Sequence, residues 1–170
     1  MRIFGLAGWS GSGKTTLMTA LIPEFTARGL AVSTVKHAHH AFDIDQPGKD
    51  SWRHRQAGAR EVMVASNRRW ALMHELHDAS EPSLDELLQK MSPVDFVLVE
   101  GFKWHPHPKI EVYRRSLGKP LLHPDDPFVV AIASDERMTE LSVPWLPRSD
   151  PGAIVSFILR HEYGPVRWRS

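Results

Sequence analysis

GWSGSGKT, residues 8–15, follows the short apolar run IFGLA (3–7) and leads into TTLMTALIPEFTARG (15–29). Glycine, four residues, then Gly-Lys-Thr is the phosphate-loop pattern, and it sits here between a strand and a helix, as the chemistry requires. In that setting the N–H groups of the turn and the positive end of the helix converge on one point, which makes an anion site. Gly8, Gly11 and Gly13 accept tight or left-handed backbone without Cβ strain. Lys14 is long enough to reach the β- and γ-phosphates, and the Thr15 hydroxyl suits the Mg²⁺ that travels with them. The loop therefore predicts binding of a nucleoside triphosphate with Mg²⁺ and leaves the base open.

Working outward, residues 2–7 read as the first strand and 14–28 as a helix with Leu17, Leu21 and Phe25 on one face. Pro23 predicts a kink or an early stop, and Gly29 an end. AVSTVK (31–36) is a second strand, completing a βαβ unit whose crossover is expected to be right-handed. A short helix is expected over 51–57. REVMVAS (60–66) and RWALMHE (69–75) read as a hairpin around Asn67 and Arg68, and EPSLDELLQKM (81–91) as a helix. VDFVLVEG (94–101) is nearly continuous in apolar residues, as a strand covered on both faces should be. KIEVYR (109–114) and DPFVVAIAS (126–134) are further strands. A last helix spans 151–161 with Ile154, Phe157 and Ile158 on one face, and YGPVRWRS (163–170) reads as a tail or an edge element. The fold class is α/β: a P-loop NTPase with a mostly parallel central sheet flanked by helices and an added antiparallel hairpin, in one domain over 1–170.

Composition narrows the partners. In 170 residues, 21 basic side chains face 20 acidic ones, so no single-sign field argues for nucleic acid. Cysteine is absent, which excludes disulfide and thiolate chemistry and suits a cytoplasmic protein. The chain reaches its first strand and loop at once, with no room for a leader, and no 18-residue apolar run implies a membrane span.

Around the loop, FVLVE places Glu100 at the end of a buried strand. There it either faces the metal, holding it or positioning water, or begins a surface loop. Asp95, at the strand's other end, is expected to face away. HAHHAFDIDQPGKDS (37–51) starts at the sheet edge where open α/β folds place ligands. Three histidines in four residues match no common closed zinc spacing. Asp43 and Asp45 are hard oxygen ligands suited to Mg²⁺. Lys36 adds charge opposite phosphates, and His37 to His40 suit a second anionic ligand when protonated. A solvated, silent loop is the other reading. Ser134 and Asp135 end the last buried strand, where an Asp can accept both N–H groups of a guanine edge. The Asn/Thr-Lys-x-Asp signature is absent, so guanine and adenine both stay open.

GWSGSGKTTL (8–17), KHAHHAFDIDQPGKDSWRHRQAGA (36–59), DFVLVEGFK (95–103) and KIEVYR (109–114) together resemble the molybdopterin-guanine dinucleotide biosynthesis protein B family. The resemblance covers nearly the whole chain, and the segment from Lys36 to Ser51 is far more specific than any phosphate loop. It implies a small, homodimeric GTP-binding protein with weak Mg²⁺-dependent GTPase activity. Such a protein acts as an adapter beside the guanylyltransferase that joins GMP to molybdopterin, with molybdopterin or its guanine dinucleotide as a further ligand. The family's phosphate loop falls on Gly8 and on Gly11, Ser12, Gly13, Lys14, Thr15 and Thr16. Its metal-side acid falls on Glu100, followed by Gly101, and its histidine-aspartate loop on His37 to Asp50. Lys14 and Glu100 are the catalytic candidates. Trp9 is bulky for the loop but is expected to point outward. Two other classes stay open: a small-molecule kinase using ATP or GTP, with a lid drawn from Arg53, Arg55, Arg60, Arg68 or Arg69, and an interaction protein with a vestigial site.

Overall fold

The computed structural model describes residues 1–38 and 42–162, so His39, His40 and the segment 163–170 lie outside the described residues. In chain order the elements are β1 (Arg2–Ala7), α1 (Lys14–Thr26), β2 (Val32–Lys36), α2 (Asp50–Gln56), β3 (Glu61–Ala65) and β4 (Trp70–His74). They continue with α3 (Leu84–Leu88), β5 (Phe96–Glu100), β6 (Lys109–Val112), β7 (Val129–Ser134), β8 (Trp145–Pro147) and α4 (Pro151–Arg160). Two compact units result, residues 1–37 with 91–170, and residues 38–90.

The first unit holds a six-stranded sheet in the order β2-β5-β1-β6-β7-β8, every neighbouring pair parallel. β1 and β2 are thus not neighbours; β5 lies between them. The sheet buries Phe4, Leu6, Phe96, Leu98 and Ile110 against Leu17, Leu21 and Phe25 of α1 and Ile154 and Ile158 of α4. The Phe25 and Phe96 rings meet at 4.9 Å. α1 runs through Pro23 without stopping. Its four buried side chains, Leu17, Met18, Leu21 and Phe25, contribute about 1.5–3 kcal/mol each. Together they outweigh the roughly 3 kcal/mol that one interior proline costs.

β6 is an interior strand between β1 and β7; among the described residues the sheet's edges are β2 and β8. β8 itself carries no apolar alternation that marks it in the sequence. In the second unit α3 has only five residues, because Ser83 starts it. The Ser83 hydroxyl accepts from the Glu86 N–H while the Glu86 carboxylate accepts from the Ser83 N–H at 2.8 Å, a capping box that leaves Pro82 outside. The hairpin is present as read, with Glu61 opposite His74 and Ala65 opposite Trp70.

β6 also carries polar side chains where the pattern suggests apolar packing. Lys109 and Glu111 are buried, as is His107 just before them. The Lys109 ammonium donates to the carbonyls of Lys103 and His105 and to Asp126, each at 2.8 Å, which satisfies all three of its hydrogens. The Glu111 carboxylate accepts from the Leu122 and His123 N–H groups at 2.9–3.0 Å. Burial raises its pKa, with those two amides opposing.

His107 packs on Gly5, where a Cβ would collide with its ring. Burial, with the Lys109 charge second, pushes its pKa from 6.5 down to about 3. The unfolded chain therefore takes a proton that the folded ring refuses. Stability is expected to fall as pH drops below about 6.5 toward 3, by up to about 1.4 kcal/mol per pH unit. Glu111 acts in the opposite sense, so comparison with His107→Gln isolates the ring. Urea unfolding at pH 7, 5.5 and 4.5 should show a flatter profile for that variant; parallel profiles would refute the assignment.

Candidate functional site

Register brings the site together. Glu100 pairs with Leu6 of β1 on one side and with Lys36 of β2 on the other. It therefore stands at the carboxyl ends of the strands, next to the start of the 8–15 loop. From β1 the chain moves to β2 and β5 on one side and then crosses to β6 on the other, so the loop occupies the topological switch point.

The loop has the backbone of an anion cradle. Gly8, Gly11 and Gly13 all have positive φ. Gly13, at φ 98, is the N-cap of α1, and the Arg148 guanidinium occupies the space a Cβ would need. No side chain caps this helix and no acidic residue lies in its first turn, so its leading N–H groups remain available to an anion. Ser12 is 1% exposed, and its Oγ has no hydrogen-bond partner among the described residues. The Lys14 ammonium folds back over the loop, donating to the carbonyls of Gly8 and Trp9 at 2.9 Å each. Burial, followed by the charges of Lys103 and Lys36, holds Lys14 below the ordinary lysine range, while Glu100 pulls it upward.

The Thr15 hydroxyl donates to Glu100 Oε1 at 2.8 Å. Lys36 Nζ lies 3.9 Å from the same oxygen. Glu100 is 9% exposed, so the reading of it as the start of a surface loop does not hold. Asp95 does face away, accepting from the Ala31 N–H at 2.8 Å at the far end of β5. His37 follows Lys36 and packs its ring on Phe102 at 4.8 Å. A side chain at Gly101 would strike the His37 Cβ. These donors fit a Mg²⁺-triphosphate: a hydroxyl and a carboxylate side by side for the metal, and a lysine with a ring of N–H groups for phosphates.

Ser134 and Asp135 lie across the loop, bordering a cavity of about 260 Å³ also lined by Tyr113, Arg114 and Glu136. The Ser134 hydroxyl is committed, donating to the Glu136 carbonyl and accepting from the Trp145 indole N–H. Arg148 grips both Asp135 oxygens at 2.7 Å and donates to the Ser12 carbonyl at 2.9 Å. Each oxygen keeps a free lone-pair direction. Nothing near residue 148 in the sequence marks this arginine. Trp9 is part-exposed; it donates its indole N–H to the Pro120 carbonyl and takes Lys103 over its ring.

Asp43 and Asp45 belong to the second unit and are engaged there. Arg55 pairs with Asp43 at 2.5 Å, with Asp45 at 3.3 Å and with Glu75 at 3.2 Å, and the Ser51 hydroxyl donates to Asp45. Arg55 is thereby bound within its own unit. Among the described residues no group of three or more His, Cys, Asp or Glu side chains is placed to hold a metal ion. No described helix is long and apolar enough to cross a membrane.

A parallel sheet with its phosphate loop at the switch point, and a strand-end acid on the loop's threonine, define a P-loop NTPase fold. A family model for Molybdopterin guanine dinucleotide synthesis protein B matches residues 3–135, and the chain belongs to that family. It is 47% identical over 135 residues to the molybdopterin-guanine dinucleotide biosynthesis adapter protein of Haemophilus influenzae, covering 78% of this chain and 74% of the relative. It is 42% identical over 160 residues to the Escherichia coli protein of the same name, covering 92% and 91%. The crystal structure of Bacillus subtilis MobB superposes with a TM-score of 0.73 at 25% identity, covering 95% of this chain and 99% of that one.

Proposed function

We propose that the protein binds Mg²⁺-GTP at residues 8–16 and serves as an accessory, adapter-type protein in molybdopterin guanine dinucleotide synthesis, working beside the guanylyltransferase. The observation that carries the nucleotide half is the Thr15–Glu100 hydrogen bond beneath an uncapped helix N-terminus. The pathway half rests on the relatives, both named as adapter proteins of molybdopterin-guanine dinucleotide biosynthesis.

In this reading Gly8, Gly11, Ser12, Gly13 and Thr16 line the phosphates with backbone N–H groups, and Lys14 leaves the Gly8 and Trp9 carbonyls to meet the β- and γ-oxygens. Thr15 and Glu100 hold the metal side, and Lys36, His37 and Gly101 close the rim. Asp135, held by Arg148, accepts from the base. Bound Mg²⁺ would supply charge neutralisation for the phosphates. The sequence after Glu100 is Gly-Phe-Lys, without the Asp-x-x-Gly that orders attacking water in fast hydrolysers, which suits slow turnover. Asp43 and Asp45, tied to Arg55, belong in this reading to the adapter surface rather than to the first metal shell. A homodimer in the cytoplasm completes the proposal.

Calorimetric titration with Mg²⁺ should show GTP binding at least about tenfold tighter than ATP, the scale of one or two base-edge hydrogen bonds. Equal affinities would remove Asp135 from base reading. GTP turnover with and without the molybdopterin-bearing guanylyltransferase tests the adapter half; rapid phosphate transfer from ATP to a small acceptor would favour a kinase instead.

A further inference from the structure

Lys103 lies three residues past Glu100 on the turn that leaves β5. Its ammonium sits 3.9 Å from the centroid of the Trp9 ring, and Trp9 is the second residue of the phosphate loop. Trp9 is held at both ends, its indole N–H on the Pro120 carbonyl at 2.8 Å and its own carbonyl accepting from Lys14 at 2.9 Å. The ammonium groups of Lys14 and Lys103 thus rest on the same residue, one on its carbonyl and one on its ring. Lys119 is more distant from that ring, at 5.8 Å.

A lysine over a half-exposed ring gains about 0.5–1 kcal/mol, less than the roughly 2 kcal/mol of rotamer freedom it can lose. The ring contact alone does not explain the placement. The turn beneath it is built to hold position. Its backbone takes positive φ at Gly101 (97) and at Phe102 (46), which for phenylalanine costs on the order of 1–3 kcal/mol. The buried Lys109 ammonium fixes the turn by donating to the carbonyls of Lys103 and His105, with Asp126 neutralising it. Phe102 packs on His37 from the other side.

Charge points the same way. Lys36 and Lys103 both act electrostatically on Lys14, with Glu100 as the counter-charge. Three cations against one carboxylate repel one another, and a polyanion relieves that repulsion. In the proposed function Lys14 meets the β- and γ-oxygens from within the loop, and Lys103, on the ring of the loop's second residue, is a second cation available to the terminal phosphate.

We propose that Lys103 reads the terminal phosphate of the bound nucleoside triphosphate, leaving the Trp9 ring to make a charge-assisted contact that a diphosphate cannot offer. The inference rests on the triphosphate reading given above. Its test compares Mg²⁺ with β,γ-imido-GTP and Mg²⁺ with GDP on wild type, Lys103→Gln and Lys103→Arg by calorimetry. Lys103→Gln should weaken the triphosphate analogue by roughly tenfold and GDP by less than about twofold, with Lys103→Arg retaining the analogue, as one charge-assisted hydrogen bond requires. Equal losses for both nucleotides, or no loss for either, would assign Lys103 a bracing role only and overturn the proposal. Wild type binding neither nucleotide, or Lys14→Ala binding both as before, would instead overturn the triphosphate reading and this one with it.

Discussion

Lys14→Ala is expected to abolish measurable triphosphate binding, with affinity falling at least about a hundredfold, since two charge-assisted hydrogen bonds at roughly 1.5–3 kcal/mol each disappear together. The ammonium is partly buried, its pKa lowered first by that burial, so its field at the phosphates is less screened than that of a surface lysine. Its two carbonyl partners, Gly8 and Trp9, belong to the loop itself. The variant therefore also loses a brace across the loop, and its thermal unfolding must be recorded beside its affinity. A folded variant with unchanged affinity would remove the phosphate site from residues 8–16.

The largest stability effect is expected at Lys109. Replacing it by methionine leaves Asp126 buried, 5% exposed, without its counter-charge. Removing one partner of such a pair costs about 3–5 kcal/mol, whereas removing both costs far less. Lys109→Met should therefore shift the urea midpoint strongly downward, and Lys109→Met with Asp126→Asn should recover most of the loss. If the double variant is no more stable than the single one, the cost lies in the freed carbonyls of Lys103 and His105 rather than in the orphaned carboxylate. That outcome matters to function, because those carbonyls fix the turn that carries Lys103.

Much of this architecture is legible in the chain. The phosphate loop, the buried strand ending at Glu100, the hairpin at 61–74 and the last helix each rest on local pattern: glycine spacing, continuous apolar residues, period two, period 3.6. The remaining details were set by packing in some places and by local capping in others. Pro23 lies inside α1 because the sheet covers that helix face. α3 begins at Leu84 because Ser83 and Glu86 cap each other. The segment 109–114 reads as a strand, yet its polar residues Lys109 and Glu111 are buried and bonded, to Asp126 and to the amides of Leu122 and His123.

From the chain alone follow the glycine spacing of the loop, the place of Glu100 at the end of a buried strand and the α/β class, since each depends on residues within a few positions of one another. Strand order lies beyond that reach. Placing β5 between β1 and β2 sets Glu100 against Thr15 across 85 positions of sequence. It also fixes which side chains attend the loop from afar: Arg148 on Ser12, Lys103 on Trp9, Lys109 beneath the turn. These contacts arise from which strands are neighbours and in what register. That choice is made by burying apolar faces over the whole sheet, and no single segment encodes it.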